Sequence, residues 1–228
     1  MVELDVKVVE QRWTRLGRQK VHDPRSRGFA LPTTMEHADW KSKKIRIYDP
    51  SPNPNQCHGE CTCVAKCVQM NAVGNRVAGK ILNMDDAHDL YRIATSVDPF
   101  PGAWEPNDTG SSGLASAQAA KRLGIGGSYY HVFNGADGVV EQIQLGHVVS
   151  VGTWWTYDMF KPNEDGIIKP TGQQVGGHQY AARGYDKKRD LVLIRCWWGP
   201  DFRDVWIARG DLNDLILDDG DAHIQNRA

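Results

Sequence analysis

The sequence predicts an α+β fold in which helices come first and an antiparallel sheet second. Three observations point there. Between residues 61 and 124 three segments carry apolar residues at helical spacing. From about residue 128 the segments become short, β-branched and aromatic, separated by Gly, Asp, Asn and Pro. Two of these, HQYAARGYD and DLVLIRCWW, are divided only by KKR, the pattern of an antiparallel hairpin. We read residues 1–228 as one domain, with an extension to about residue 50, a helical lobe over 51–127 and a β lobe over 128–228. A cleft between two such lobes is a natural place for a site.

Along the chain, VELDVKVVE reads as a strand with Val2, Leu4, Val6 and Val8 on one side, and KKIRIY (43–48) as a second. The basic patch RLGRQKVHDPRSR between them is short and interrupted, and is expected to be solvated surface. Pro50, Pro52 and Pro54 then impose extended backbone before NQCHGECTCVAKC, which holds four of the five cysteines: Cys57, Cys61, Cys63 and Cys67. CTCVAKCVQMNAV lacks Pro and Gly and places Val64, Val68 and Ala72 on one helical face. A second helix follows over NMDDAHDLYRIATSVD, with Asp85 and Asp86 in its first turn and Pro99 and Pro101 beyond its end. In EPNDTGSSGLASAQAAKRLG a glycine-bearing loop leads to a third helix, N-capped by Ser112 and stopped by Gly124. SYYHVF, HVVSVGTWW, HQYAARGYD, DLVLIRCWW and DVWIA are the strands. His131 and His147 read as satisfied core histidines, and the paired tryptophans at 154–155 and 197–198 as core or cleft wall. Asp218, Asp219 and Asp221 lack the spacing of a calcium loop and read as a solvated tail.

Composition narrows the function classes. With 27 Lys+Arg against 28 Asp+Glu the formal net charge is -1, which gives no electrostatic reason to expect a nucleic acid or an anionic membrane as partner. The N-terminal stretch has no continuous apolar core, and no later run nears the roughly 20 apolar residues of a membrane span. An odd number of cysteines in a chain of this size suits thiols in a reducing compartment, so a soluble, cytoplasmic protein is expected.

The cysteine cluster admits three chemistries. A cysteine where a loop enters a helix has its thiolate favoured by unpaired backbone N–H groups and the helix dipole, which suits a nucleophile. Zinc would use Cys57, His58, Cys61, Cys63 and Cys67, but paired Cys-x2-Cys units are missing. Cys63 and Cys67, four apart, fit helix packing. A nucleophilic cysteine needs a base, and among eight histidines His178 has a distinctive context: it follows Gly176 and Gly177 and opens an apolar, aromatic strand.

The pairing of GECTCVA with GGHQYAARGYD resembles the papain-like cysteine peptidases, in particular their shorter bacterial and phage members. Gly59-Glu60-Cys61-Thr62 matches the family's nucleophile element, and Gly177-His178 with Gly184-Tyr185-Asp186 its histidine strand. Cys196-Trp197-Trp198-Gly199 echoes its Asn-Ser-Trp-Gly element, and residues 108–113 resemble the glycine-bearing wall of its cleft. The resemblance implies a two-lobed fold, with a helical N-terminal lobe, a C-terminal antiparallel sheet or barrel and the site between them. It implies Cys61 as nucleophile, His178 as base and acid, and a side-chain amide beside the oxyanion, for which Gln56 is favoured over Asn55. Gly110, Ser111, Ser112, Gly177 and Trp198 would line the substrate cleft. The expected partner is a peptide or protein substrate, with no cofactor and no metal.

Two departures stand out. The family's orienting asparagine is replaced by Cys196, so another group, an Asp, Asn or backbone carbonyl, is expected to hold the histidine ring. Cys57 has no cysteine between Cys67 and Cys196 for the family's wall disulfide. Beside the peptidase reading stand a cell-wall amidase type of thiol hydrolase and a non-catalytic binding module on the same scaffold. In the peptidase reading about 60 residues precede Cys61, too few for a long inhibitory propeptide but enough for a short segment over the cleft.

Overall fold

Why the first helix is where it is follows from its composition: ten residues with no Pro or Gly, small or apolar on most sides, long enough to cross the interior but short of strong propensity at its ends. The computed structural model describes residues 16–20, 35–48, 56–72, 80–199 and 202–228. There α1 spans Cys61–Met70, and every one of its residues is buried, including Lys66 and Gln69. Helix α2, Met84–Val97, starts at a reciprocal cap in which Asn83 accepts from the Asp86 N–H and Asp86 accepts from the Asn83 N–H. Helix α3, Gly113–Arg122, is capped by the Ser112 hydroxyl, which accepts from the Ala115 N–H at 3.1 Å. These helices form one side of the molecule, with α1 packed against both α2 and α3.

Eight strands are present among the described residues: β1 Lys43–Lys44, β2 Gly126–His131, β3 Val149–Thr156, β4 Ile167–Ile168, β5 Gln174–Asp186, β6 Leu191–Arg195, β7 Asp204–Ala208 and β8 Asp221–Arg227. They form a single sheet in the order β2-β8-β3-β5-β6-β7-β4, with β1 joining the edge of β5. All pairings are antiparallel except β4 with β7. The expected hairpin is β5–β6, and β5 also pairs along its length with β3, placing Thr153 opposite His178. Both faces of the central strands are covered, so β3, β5 and β6 read as nearly continuous buried runs rather than alternating ones. Helix α1 also packs against β3, β5 and β8.

The structure corrects several expectations. The segregation of helices and strands is incomplete: α4, Gly135–Leu145, and α5, Arg209–Asp219, lie within the β-rich half. Helix α4 opens with two glycines in its first four residues, which obscured its periodicity, yet it buries Val139, Val140 and Ile143. KKIRIY contributes only the two-residue β1 and a bridge from Ile47 to Ala72. The acidic tail is solvated only in part: Asp218 is exposed, but Asp221 opens β8, an interior strand between β2 and β3 whose residues 222–225 are buried. VELDVKVVE lies outside the described residues.

One ionic cluster ties β5, β6 and β7 together. Asp204 on β7 accepts from Arg183 Nε and Nη2 at 3.1 and 2.8 Å and from Arg195 Nε and Nη2 at 2.7 and 3.2 Å, with both arginines buried. Burial alone would raise the Asp204 carboxyl, but the two guanidinium groups outweigh it and hold it well below the usual carboxylate range. Removing the carboxylate would strand two buried cations. Asp204→Ala is therefore expected to destabilise the fold by about 3 kcal/mol, read as a lower urea midpoint at unchanged slope.

Candidate active site

Cys61 sits at the first position of α1, where the helix emerges into the cleft between the helices and the sheet. Its helix is opened by Glu60, whose carbonyl accepts from the Cys63 and Val64 N–H groups at 2.9 and 3.1 Å. The Cys61 thiol is fully buried and is met by three backbone N–H groups, those of Gln179, Gly17 and Thr62. Burial nevertheless dominates and pushes the thiol up to about 11. Cys63 and Cys67 are buried in the helix as packing residues, and Cys57 is exposed; all five cysteines are thiols. No group of three or more His, Cys, Asp or Glu among the described residues is placed to hold a metal ion.

His178 follows on β5, one residue before the Gln179 whose N–H reaches the thiol. Its ring stacks on Trp198 at 4.2 Å and 25° and meets the edge of Trp155 at 5.2 Å and 79°. Complete burial lowers it to about 3, so the ring is a neutral imidazole. The expectation that an Asp, Asn or carbonyl holds this ring is not met among the described residues, where neither ring nitrogen has a hydrogen-bond partner. Aromatic packing holds it instead. Cys196 is buried nearby, its N–H donating to the Arg203 carbonyl at 2.8 Å.

Gln56 is fully buried at the foot of the nucleophile loop; its backbone N–H donates to the Trp197 carbonyl at 2.9 Å and its side-chain amide to the His58 carbonyl at 2.5 Å. Asn55 lies outside the described residues. On the opposite wall, Gly110 and Ser111 are buried, and Ser112 spends its hydroxyl on the α3 cap. In place of a disulfide, Asp108 accepts from the Gly59 N–H at 3.0 Å and from the Tyr91 hydroxyl at 2.6 Å, while that hydroxyl accepts from the Gly110 N–H at 2.8 Å. These bonds link the nucleophile loop to the glycine wall, with Tyr91 of α2 as the bridge.

The largest correction concerns the basic patch, part of which lies inside the site. Residues 16–20 form a strap across the cleft: Ser111 N–H donates to Gly17 at 2.8 Å, Gln19 N–H to Ser111 at 2.7 Å, and Arg18 N–H to Gly177 at 3.0 Å. Strap and wall thus pair in parallel through Arg18 and Ser111. The approach is close enough that a Cβ on Gly17 would overlap the Gly59 carbonyl, and one on Gly110, at φ +72°, would overlap that of Gly17. Arg18 is 5% exposed, its side chain paired with Asp221. The residues 203 positions apart that make this pair were each assigned to solvent by local pattern. The only local hint was the alternation of Ala222 and Ile224 beside Asp221.

No family profile and no curated protein sequence matches the chain. Solved structures do. Xylellain, a cysteine protease from Xylella fastidiosa, aligns at a TM-score of 0.73 and 13% identity over 95% of this chain and 97% of that one. Procathepsin L 3 of Tenebrio molitor larval midgut aligns at 0.63 and 11% over 97% and 78%. Procathepsin B S9 from Trypanosoma congolense gives 0.62 and 11% over 96% and 89%. At such identities the likeness concerns architecture, and it extends over nearly the whole chain: this protein has the α+β, two-lobed fold of the papain-like cysteine proteases.

Proposed function

We propose that the chain is a thiol hydrolase that cleaves peptide or isopeptide bonds, with Cys61 as nucleophile and His178 as base and acid. The observation that carries this reading is the strap: an extended peptide lies in the cleft with a backbone N–H against the Cys61 thiol and main-chain bonds to both walls. A cleft that holds one peptide in this way offers the same N–H and C=O groups to another. In the proposed reaction His178 takes the thiol proton, the sulfur bonds to the carbonyl carbon, and the imidazolium protonates the departing amine; water then splits the thioester and regenerates the thiol. First-turn N–H groups of α1 and the Gln56 amide are the proposed donors to the oxyanion.

In the covered form burial keeps Cys61 a neutral thiol and His178 a neutral imidazole, so the reactive ion pair is absent. Displacement of the strap readmits water to the cleft and weakens the burial that raises Cys61. A second reading, a binding module on the same scaffold, is favoured by one observation: among the described residues no hydrogen bond orients the His178 ring.

Labelling separates the two. Exposed Cys57 would react with any thiol reagent, so the experiment uses a Cys57→Ser background. An electrophile is expected to modify Cys61 slowly in the full chain and at least tenfold faster with Arg18→Ala, and Cys61→Ala is expected to abolish both labelling and peptide hydrolysis. Hydrolysis persisting in Cys61→Ala sinks the assignment.

Stability should also respond to acid. His178 and His223 are buried and lowered by that burial to about 3 and about 4, against about 6.5 for an unfolded histidine. A lowered histidine contributes stability that is complete above pH 6.5 and is lost as pH falls toward 4, because the unfolded chain binds the extra protons. Urea titrations at pH 7 and pH 5 are expected to differ by roughly 2 kcal/mol per histidine. Equal midpoints would contradict the buried, neutral state of both rings.

A further inference from the structure

Helix α1 begins without a side-chain cap. Glu60 stands at its N-cap position, yet no side-chain bond runs from it to the helix's own N–H groups, and its backbone (φ -88°, ψ 14°) lies outside the extended region that caps adopt. The Glu60 carbonyl takes the N–H groups of Cys63 and Val64, so those of Cys61 and Thr62 stay outside the helix ladder. The Thr62 N–H meets the thiol. A carboxylate one residue before such donors is ordinarily drawn to them by hydrogen bonding and by the helix dipole. Here it is turned the other way.

The Glu60 side chain is fully buried. Its carboxylate accepts from the Cys57 N–H and faces His88 of α2, whose Nε2 lies 3.2 Å from Oε1 and 3.0 Å from Oε2. Oε2 gains no well-aligned hydrogen bond among the described residues, so its compensation rests on the imidazole. Burial raises the Glu60 carboxyl, and His88 is the largest influence opposing that rise. The other titratable groups that act on it are His58, in the same loop, and Cys63 and Cys67, on α1. His58 is engaged elsewhere: its ring lies 4.3 Å from that of Trp104, and its Nδ1 is 3.8 Å from Asp108 Oδ2. Among the described residues His88 is thus the group at ion-pair distance that draws the carboxylate away from α1.

We infer that His88 is a positioning residue: it diverts the Glu60 carboxylate from the first N–H groups of α1 and so keeps them open to the Cys61 thiolate and to the oxyanion. Without the imidazole, the carboxylate has only a short swing to the Thr62 N–H, where it would occupy that donor and set a negative charge beside the sulfur. The inference rests on the hydrolase reading for the oxyanion; its effect on the thiolate holds whether or not a bond is cleaved.

The test follows alkylation of Cys61 by iodoacetamide, located by peptide mass mapping, in the full chain carrying Cys57→Ser and Arg18→Ala. His88→Ala is expected to slow alkylation at pH 7 at least tenfold by moving the pH–rate profile about one unit upward, with its alkaline plateau unchanged. Glu60→Gln removes the charge and keeps an acceptor for the Cys57 N–H. With it already in place, the same His88→Ala step is expected to cost less than threefold. His88→Gln, which retains a donor to the carboxylate, should restore the rate. A merely structural imidazole would slow both backgrounds equally and leave the midpoint of the profile where it was; either result overturns the inference. Hydrolysis of fluorescein-labelled casein is measured on the same variants. If the alkylation pattern appears and no peptide bond is cut, the hydrolase reading fails and the diversion stands. Should His88→Ala not fold, His88→Leu fills the space without a donor and serves the same comparison.

Discussion

Complete burial of α1 is the constraint on which the other features depend. A helix covered on all sides needs helices on one flank and a sheet on the other, and this chain supplies both from separate stretches. Its polar residues must then be satisfied internally. Gln69 donates to the carbonyls of Val148 and His223 at 2.9 and 3.0 Å, and accepts from Lys66 at 2.9 Å. Lys66, fully buried, is lowered by burial to about 7. These bonds fix the helix against β8 and the start of β3, so its first residue, Cys61, meets the cleft at one defined depth.

That depth also sets the electrostatics of the cleft. Helix position and N–H groups favour a thiolate, but removal from water opposes any charge, and with the strap in place burial prevails at both Cys61 and His178. The same low-dielectric interior makes the Arg18–Asp221 pair demanding: each charge is tolerable only with the other present. Strap, nucleophile and the Arg18–Asp221 pair therefore share one controlling physical quantity, access to water.

Support for the site comes from neutral packing as much as from hydrogen bonds. The ring of His178 is confined by Trp198 and Trp155 rather than by an amide, which fits a thiol at position 196 that makes only weak hydrogen bonds. Across the cleft the reverse holds: Asp108 and Tyr91 bind the backbone of Gly59 and Gly110, doing with polar contacts what a covalent bridge does elsewhere.

What the sequence by itself determined was local. Asp85 and Asp86 in the first turn announced the start of α2 and the Ser112 cap that of α3, because both signals act on backbone within one helical turn. The turn KKR announced β5–β6, and Gly59, Cys61 and Thr62 marked the entry to α1. Against this, tertiary structure alone decided the fate of Arg18 and Asp221, which local composition assigned to solvent, and of His178, whose surroundings come from β3 and the loop after β6. It also decided that α4 and α5 pack within the β-rich half. The physical reason is common to these cases: burial depends on what distant segments place alongside a residue, and charge patterns read one segment at a time cannot distinguish a solvated arginine from one whose partner lies 203 residues away.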